Sequence, residues 1–213
     1  MIVLIFMIIF SHNMSMFGNY FVRMKEGILM KAICIQRPGN IHVADIPVPE
    51  LQVGQALIEI KSVGVCGSDV AAYQYAHPNC QYPLIIGHEV AGIVKKIGEN
   101  SKGIVSGDRV VLDPYLYCGH CYPCSKGRTN CCESLRVLGV QTAGAMCEYV
   151  AHPADMLIKI PDTMTWEQAA LAEPLTIGIH GVHTVDLHPG EYFTVIGAGT
   201  IGLMAALTGE LSS

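Results

Sequence analysis

Charged residues are scarce in this sequence, and basic residues are the scarcer kind. Its 213 residues include 13 Lys and Arg against 18 Asp and Glu, which gives a formal net charge of -5 at pH 7. Proteins that bind a phosphate backbone need a field of clustered basic side chains. The sequence has no such field, so we expect no nucleic-acid partner.

The sequence also lacks an apolar run long enough to cross a membrane. Residues 1–10 are wholly apolar, but a spanning helix needs about 20 such residues. A secretory signal needs a basic n-region, whereas the first basic residue is Arg23. We therefore expect no membrane partner and interpret residues 1–29 as an apolar N-terminal extension outside the fold, with the natural start at Met30 or Met24. A signal peptide is the alternative.

Cysteine is abundant, but its distribution argues against a disulfide scaffold. Five of the nine cysteines lie between Cys118 and Cys132. Such density suits metal thiolates better than long-range disulfides. Thiolates of this kind point to a reducing compartment, so we expect a cytoplasmic location.

Four of these cysteines are predicted to bind one structural zinc ion. Three thiolates recur at every third residue and the fourth follows after seven intervening residues, a spacing that suits tetrahedral zinc. A dithiol redox motif is an alternative, disfavoured because a third cysteine and a Gly- and Pro-rich loop follow the first pair. A nucleic-acid-binding zinc ribbon would need basic and aromatic surface, which is absent. The predicted ligands are Cys118, Cys121, Cys124 and Cys132, and Cys131 is left as a free thiol.

Short β-branched runs separated by Gly and Pro predict a small all-β unit after Met30. After Pro161 the pattern changes, and Thr165 as N-cap predicts a helix over residues 166–171 that ends near Glu173. The predicted strands cover residues 31–35, 41–46, 56–63, 92–97, 105–112 and 145–150. Within residues 105–112, Gly107-Asp108 is a predicted turn that leads into the strand at residues 109–112.

A βα unit is predicted near the end of the sequence. Residues 192–196 are the predicted strand, a glycine-rich turn follows, and an apolar helix starts at Ile201 and is interrupted by residues 208–213. The turn has the pattern GxGxxG, in which the first glycine makes a tight turn, the second admits a pyrophosphate and the third lets helix and strand pack. A turn without a ligand is the alternative. The predicted cofactor-binding residues are Gly197, Gly199, Thr200, Ile201 and Gly202.

A second metal site is predicted where two strands end. Cys66 follows one predicted strand and His88 precedes another, so both can converge, and Glu173 would add a carboxylate. Each residue alone is more often a packing or surface side chain. Together they form the three-ligand layout, with one open position, of a catalytic zinc.

The order of these motifs resembles the medium-chain, zinc-dependent alcohol dehydrogenases. The resemblance covers Met30 to about Leu207. Glu173 in place of a third cysteine ligand, and residues 127–133, are similar to the polyol and sugar-acid branch around sorbitol and galactonate dehydrogenases. The motifs that carry the resemblance are Val65-Cys66-Gly67-Ser68-Asp69, Gly87-His88-Glu89, the four-cysteine loop, Glu173-Pro174 and the glycine pattern.

The resemblance implies an α+β chain of two parts. Residues 30–160 would form a GroES-like β-barrel catalytic domain, and residues 161–213 a linking helix and the truncated start of a Rossmann domain. It implies hydride transfer from a secondary alcohol of a polyol or sugar acid to NAD or NADP, two zinc ions per chain, and a homo-oligomer in the intact family. A complete cofactor site needs an acidic residue about 20 positions further on and more parallel strands. We therefore expect the chain to be inactive alone, and a non-catalytic zinc-binding module is the alternative.

The resemblance also implies roles for single residues. Cys66 and His88 would bind catalytic zinc, with Glu89 and Glu173 as carboxylates that ligate it directly or exchange with water. The sequence does not decide between the two carboxylates.

Four further positions concern protons and substrate. Ser68 would pass on the substrate hydroxyl proton, and Asp69 would fix the tautomer of His88. The family often has a relay histidine three residues after the serine, and this chain has Ala71 there, so proton exit needs another route. Tyr73 would line the substrate pocket, with ordinary packing as the alternative.

Overall fold

The structure is a computed structural model, and it describes residues 24–75, 77–185, 187–188 and 190–212. The interpretation of residues 1–23 as an extension lies outside these residues. The first strand starts at Met24, upstream of the expected start of the domain at Met30.

Antiparallel strands make up most of the first part of the chain, and helices make up the end. The α+β class is therefore confirmed. The strands are β1 (Met24–Arg37), β2 (Asn40–Pro49), β3 (Gln55–Gly64), β4 (Leu84–Ile85), β5 (Glu89–Ile97), β6 (Arg109–Leu112), β7 (Tyr115–Leu116), β8 (Arg136–Val137), β9 (Tyr149–Pro153) and β10 (Leu157–Lys159). The helices are α1 (Gly67–Gln74), α2 (Tyr122–Ser125), α3 (Trp166–Ala170), α4 (Ala172–Thr184) and α5 (Thr200–Ser212), with short 3-10 turns at Thr129–Cys131 and Ala154–Met156.

The strands form three sheets, and the main core packs on the five-stranded one. Their orders are β2-β1-β4, β10-β6-β5-β3-β9 and the pair β7-β8. On the five-stranded sheet, apolar side chains alternate inward, as half-buried antiparallel strands require. The fully buried members include Ile58, Val94, Val110 and Leu157.

One predicted strand begins where the predicted turn before it ends, and another begins later than expected. Residues 105–108 form a turn, in which Asp108 accepts a hydrogen bond from the backbone N–H of Val105 and Gly107 has φ +94°. The strand β6 starts at Arg109, as predicted from the Gly107-Asp108 turn, whereas β9 starts at Tyr149 and not at residue 145.

Arg109 fastens the first helix after the sheets to β6. Its guanidinium lies over the Trp166 ring, 4.1 Å from the centroid, and donates to the carbonyls of Pro161, Asp162 and Met164. A planar guanidinium combines this stacking with several N–H donors. The start of α3 is thus held against the sheet that carries the candidate sites.

Glu173 lies at the beginning of a helix, not at the end of one as predicted. The helix α3 ends at Ala170, and α4 begins at Ala172 with Glu173 in its first turn. Proline lacks an N–H, but the first turn of a helix has no partner for that group, so Pro174 is tolerated there. The proline therefore marks a new helix and places the Glu173 carboxylate near the sheet.

The predicted strand at residues 192–196 is not formed, because none of the described strands pairs with it. The helix after it starts at Thr200 and runs to Ser212 without the predicted interruption. Gly209 lies inside this helix, where a Cβ would meet the Phe193 ring at 2.3 Å. Close packing on an aromatic ring, rather than a break, explains that glycine.

Candidate metal centres

The four cysteines predicted to hold structural zinc come together in the structure. Their sulfur atoms all lie within 4.8 Å of one another, and all of the cysteines are free thiols. Backbone N–H groups donate to two of these sulfur atoms, from Cys118 to Cys132 Sγ at 3.3 Å and from Cys121 to Cys118 Sγ at 3.4 Å. The remaining cysteine of the loop, Cys131, is exposed and outside the group.

The backbone prepares part of this site for thiolates. Hydrogen bonds from the backbone of His120 and Cys121 lower the pKa of Cys118 to about 6. The backbone N–H of Cys118 lowers the pKa of Cys132 in the same way. Four sulfur donors at this spacing, with two of them favoured as thiolates, fit a tetrahedral zinc ion.

Cys66, His88 and Glu89 form a second group, with ligand atoms within 4.8 Å of one another. Cys66 is the N-cap of α1, just after β3, and Glu89 is the first residue of β5. The two strands are paired, with Gly64 opposite Glu89. A Cβ at Gly64 would lie 1.9 Å from Glu89 Oε2, so glycine there leaves room for the carboxylate.

Asp69 joins the two backbone segments that carry this group. It is buried, and its carboxylate accepts hydrogen bonds from the backbone N–H of Cys66 at 2.9 Å and of Gly87 at 3.2 Å. The prediction that Asp69 fixes the tautomer of His88 is corrected, because Nδ1 of His88 has no hydrogen-bond partner among the described residues. The short side chain of Asp69 reaches the backbone before and after the ligands instead of the ring.

Two buried polar atoms beside Cys66 lack partners in the described part of the chain, and they are Ser68 Oγ and His88 Nδ1. An unsatisfied buried donor or acceptor costs roughly 1–3 kcal/mol. Such orphan atoms are typical of a site that is completed by a ligand or ordered water. Ser68 thus lies beside the group, and its role in passing on a proton stays a prediction.

The ionisable groups of this centre hold protons that a cation could replace. Contact with His88 lowers the pKa of the Cys66 thiol. Burial lowers the pKa of His88, whereas contact with Cys66 and the nearby charges of Asp69 and Glu173 raise it. Together the raising effects outweigh burial, so the pKa of His88 lies above its ordinary value. Burial raises the pKa of Glu89. Thiolate, imidazole and carboxylate groups lie close together here, and the pKa of the Glu89 carboxyl is raised. Such a group of ligands fits a divalent cation, which would favour the deprotonated forms.

Glu173 is near this group but is held by another residue. The Tyr115 hydroxyl donates to Glu173 Oε1 at 3.1 Å, and burial raises the pKa of the Glu173 carboxyl. Glu173 does not lie within 4.8 Å of all three atoms of the Cys66, His88 and Glu89 group. The sequence did not decide between Glu89 and Glu173 as zinc ligand. In the structure, Glu89 and not Glu173 lies in the group with Cys66 and His88.

Ala71 and Tyr73 are the remaining two positions of α1 for which the sequence raised a role in proton transfer or substrate binding. Ala71 offers no hydrogen-bonding side chain, as the sequence states. Tyr73 is 39% exposed. The structure leaves the substrate role of Tyr73 as a prediction.

Two glycines of the predicted cofactor-binding pattern have surroundings that exclude a side chain. Gly197 has φ +103°, and a Cβ at Gly202 would lie 2.0 Å from the Gly197 carbonyl oxygen, so neither position suits a side chain. Gly199 has open space around it. Thr200 and Ile201 begin α5, whose first N–H groups are free for an anion. The turn fits the pyrophosphate of a dinucleotide.

Sequence reasoning missed Tyr115 and Gly64, which both shape the second centre. Gly64 is one of several glycines that end a strand, and only the pairing with Glu89 shows its purpose. Tyr115 lies three positions before the first zinc-loop cysteine, and no motif marks it.

The Alcohol dehydrogenase GroES-like domain family matches residues 52–162. An uncharacterized zinc-type alcohol dehydrogenase-like protein of Haemophilus influenzae is 52% identical over 185 residues, which is 86% of this chain and 54% of that protein. The L-galactonate-5-dehydrogenase of Escherichia coli is 38% identical over 179 residues, which is 83% of this chain and 52% of the enzyme.

A solved structure has the same arrangement over most of this chain. It is a short chain alcohol dehydrogenase (rspB) from Escherichia coli CFT073 in complex with NADH, 37% identical, with a TM-score of 0.78. The match covers 84% of this chain and 52% of that one. The chain thus spans about half the length of the relatives it matches. None of the described helices is both long and apolar enough to cross a membrane.

Proposed function

This chain belongs to the zinc-dependent alcohol dehydrogenases with a GroES-like domain, and from that premise we propose that it provides the zinc-binding half of a dehydrogenase. The reaction is hydride transfer from a secondary alcohol of a polyol or sugar acid to NAD or NADP. The observation that carries the proposal is the convergence of Cys66, His88 and Glu89 beside two orphaned polar atoms. Similarity to an L-galactonate-5-dehydrogenase supports the substrate class.

The proposed metal ligands divide into two sets. Cys118, Cys121, Cys124 and Cys132 hold structural zinc. Cys66, His88 and Glu89 hold catalytic zinc, and Glu173 occupies a second position from which it orders water or exchanges with Glu89.

Zinc at the catalytic site would act as a Lewis acid toward the alcohol oxygen, while a nicotinamide ring would accept the hydride. The chain's own residues would place the reactants. Asp69 holds the backbone of Cys66 and Gly87 together, which fixes the angle between the two strand ends. The orphaned Ser68 hydroxyl would pass on the substrate hydroxyl proton, taking it up while it gives its own proton to solvent water. Tyr73 would contact the substrate.

The cofactor would approach along the glycine turn. Gly197, Gly199 and Gly202, with Thr200 and Ile201, would cradle the pyrophosphate at the first turn of α5.

We place the domain boundary at residues 160 and 161, after the last strand. Reduced thiols at both centres suit a cytoplasmic location, and a homo-oligomer is expected by analogy with the family.

Elemental analysis of the purified chain tests the metal assignment. We expect about two zinc ions per chain, because each ligand set supplies enough donors for one ion. Cys118→Ser should remove one ion and Cys66→Ser the other, while Cys131→Ser, which changes an exposed thiol outside both sets, should keep both. A metal-free, disulfide-linked chain would contradict the proposal.

A zinc-binding module without turnover is the second candidate. Residues 190–201, which include the glycine pattern, are all exposed. No described residue therefore covers the segment proposed to bind the cofactor. We expect the 213-residue chain to bind metal but not to oxidise alcohols by itself. Assays with sorbitol or L-galactonate and each cofactor separate the two candidates. Cofactor-dependent turnover by this chain alone would exclude the second.

A further inference from the structure

Tyr115 lies between the two candidate metal centres. It begins the short strand β7, three positions before Cys118 of the four-cysteine loop, and its hydroxyl donates to Glu173 Oε1 at 3.1 Å. The Tyr115 side chain therefore extends from the segment before the four-cysteine loop to the Glu173 carboxylate beside the Cys66 centre.

The backbone around Tyr115 is held in place from several sides. Its N–H donates to Asp113 Oδ1 at 3.0 Å, and Tyr115 pairs with Val137 across β7 and β8. Asp113 in turn donates its backbone N–H to the Met156 carbonyl at 2.9 Å. A half-buried ring on such a support presents its hydroxyl at a defined point.

Glu173 needs an external donor to hold one orientation. It lies on the first turn of α4, and its carboxylate is near that of Glu89, which also carries a negative charge when it is ionised. Within the described residues, the Tyr115 hydroxyl is the donor that contacts this carboxylate. A glutamate side chain otherwise has rotamer freedom that an ordered site must restrict.

We infer that Tyr115 is a positioning residue, which holds the Glu173 carboxylate beside the Cys66, His88 and Glu89 centre in the orientation that metal binding requires. The inference rests on the proposed function of that centre. Hydrogen-bond partners of metal-site carboxylates typically change metal affinity by about 10- to 100-fold when they are removed. Among the described residues, the Tyr115 hydroxyl donates to Glu173 and to none of Cys66, His88 and Glu89. Its effect on the metal therefore passes through Glu173.

The test uses Co²⁺ as a spectroscopic probe of the full 213-residue chain. Each variant is titrated with and without an added Cys66→Ser change, and the difference spectrum isolates the Cys66 centre from the four-cysteine site. Tyr115→Phe removes only the hydroxyl. Tyr117→Phe is the matched control, because the Tyr117 hydroxyl makes no hydrogen bond among the described residues and lies in the same segment.

Tyr115→Phe should weaken Co²⁺ binding at the Cys66 centre by about tenfold and shift its visible absorption bands. Tyr117→Phe should match the unchanged chain. Glu173→Gln should reproduce the effect, and Tyr115→Phe added to Glu173→Gln should weaken binding no further, since both changes remove one interaction.

Unchanged affinity and spectrum in Tyr115→Phe would overturn the inference, as would additive effects in the double variant. Loss of the four-cysteine absorption in Tyr115→Phe would also overturn it, because the effect would then be a general loss of structure. If the unchanged chain shows no Cys66-dependent absorption, the proposed function fails instead. The two failures are therefore distinguishable.

Discussion

His152 is a buried histidine that neither metal centre uses. It lies on β9 with 1% of its surface exposed, and its Nε2 is 2.9 Å from the carbonyl oxygen of Asp113. Burial lowers its pKa to about 4, although the contact with Asp113 opposes this. An ordinary histidine has a pKa of about 6.5.

Acidification should therefore destabilise the fold through His152. Between pH 6.5 and 4 the unfolded chain binds a proton that the folded chain does not bind, so the free energy of unfolding falls as pH falls. From pH 7 to pH 5 we expect this one group to remove about 2 kcal/mol. Urea unfolding at pH 7 and at pH 5 measures this change in the free energy of unfolding.

Substitution separates this effect from the titration of the metal thiolates. The free energy of unfolding of His152→Gln should fall by about 2 kcal/mol less than that of the unchanged chain over the same interval. His42→Gln, which changes an exposed histidine, should keep the full fall. An equal fall in His152→Gln and the unchanged chain would show that His152 is not the group responsible.

The sequence predicts candidate metal ligands where their spacing is constrained. It does not predict which residues hold the backbone around those ligands in place. The four-cysteine site needs donors within 15 positions of one another, and that spacing is visible in the sequence. The contacts of Asp69 with the Cys66 and Gly87 backbone depend on two strand ends that are distant in sequence. The sequence predicted a contact between Asp69 and the His88 ring, and only the fold shows that Asp69 contacts these two backbone N–H groups instead.

At the scale of elements, the crossing of α4 and α5 depends on one glycine. A Cβ at Gly178 would lie 2.7 Å from the backbone carbonyl carbon of Met204. Backbone atoms cannot move aside as the end of a flexible side chain can. The two helices must therefore separate if a methyl group is added at this position.

Gly178→Ala should lower the free energy of unfolding by about 1–3 kcal/mol through this overpacking. Gly181→Ala is the matched control in the same helix, where a Cβ meets nothing within 4 Å. Alanine there should raise the free energy of unfolding by about 0.5–1 kcal/mol, because it restricts the unfolded chain and favours helix. Chemical denaturation followed by circular dichroism compares both, and equal changes in the two variants would refute the packing argument.

The element boundaries show why local patterns predict some structures and miss others. Strands of the first part were predicted where β-branched runs pair with neighbours that are present. Residues 192–196 have the same composition, yet no described strand pairs with them, and a strand needs a partner as well as a propensity. Glu173-Pro174 predicted the end of a helix, although a proline also suits the first turn of the next one.

At the scale of the whole molecule, apolar surface is concentrated near the end of the described chain. Tyr192 and Ile196 are 104% and 96% exposed, and Leu211 on α5 is 81% exposed. The backbone of residues 192–196 makes no hydrogen bond to another described residue. Unpaired extended backbone with apolar side chains is a template for association between chains.

The purified 213-residue chain should therefore self-associate as its concentration rises, through residues 192–196. Ile196→Glu should shift the onset to higher concentration, because the new carboxylate would have to be buried between two chains. Val53→Glu is the matched control, since Val53 is 105% exposed and lies on the turn between β2 and β3. Both variants gain the same charge, so a difference in sedimentation between them reports on position alone. Equal association of the two variants would place the contact elsewhere, while unchanged zinc content in both would show that the metal centres fold independently of this surface.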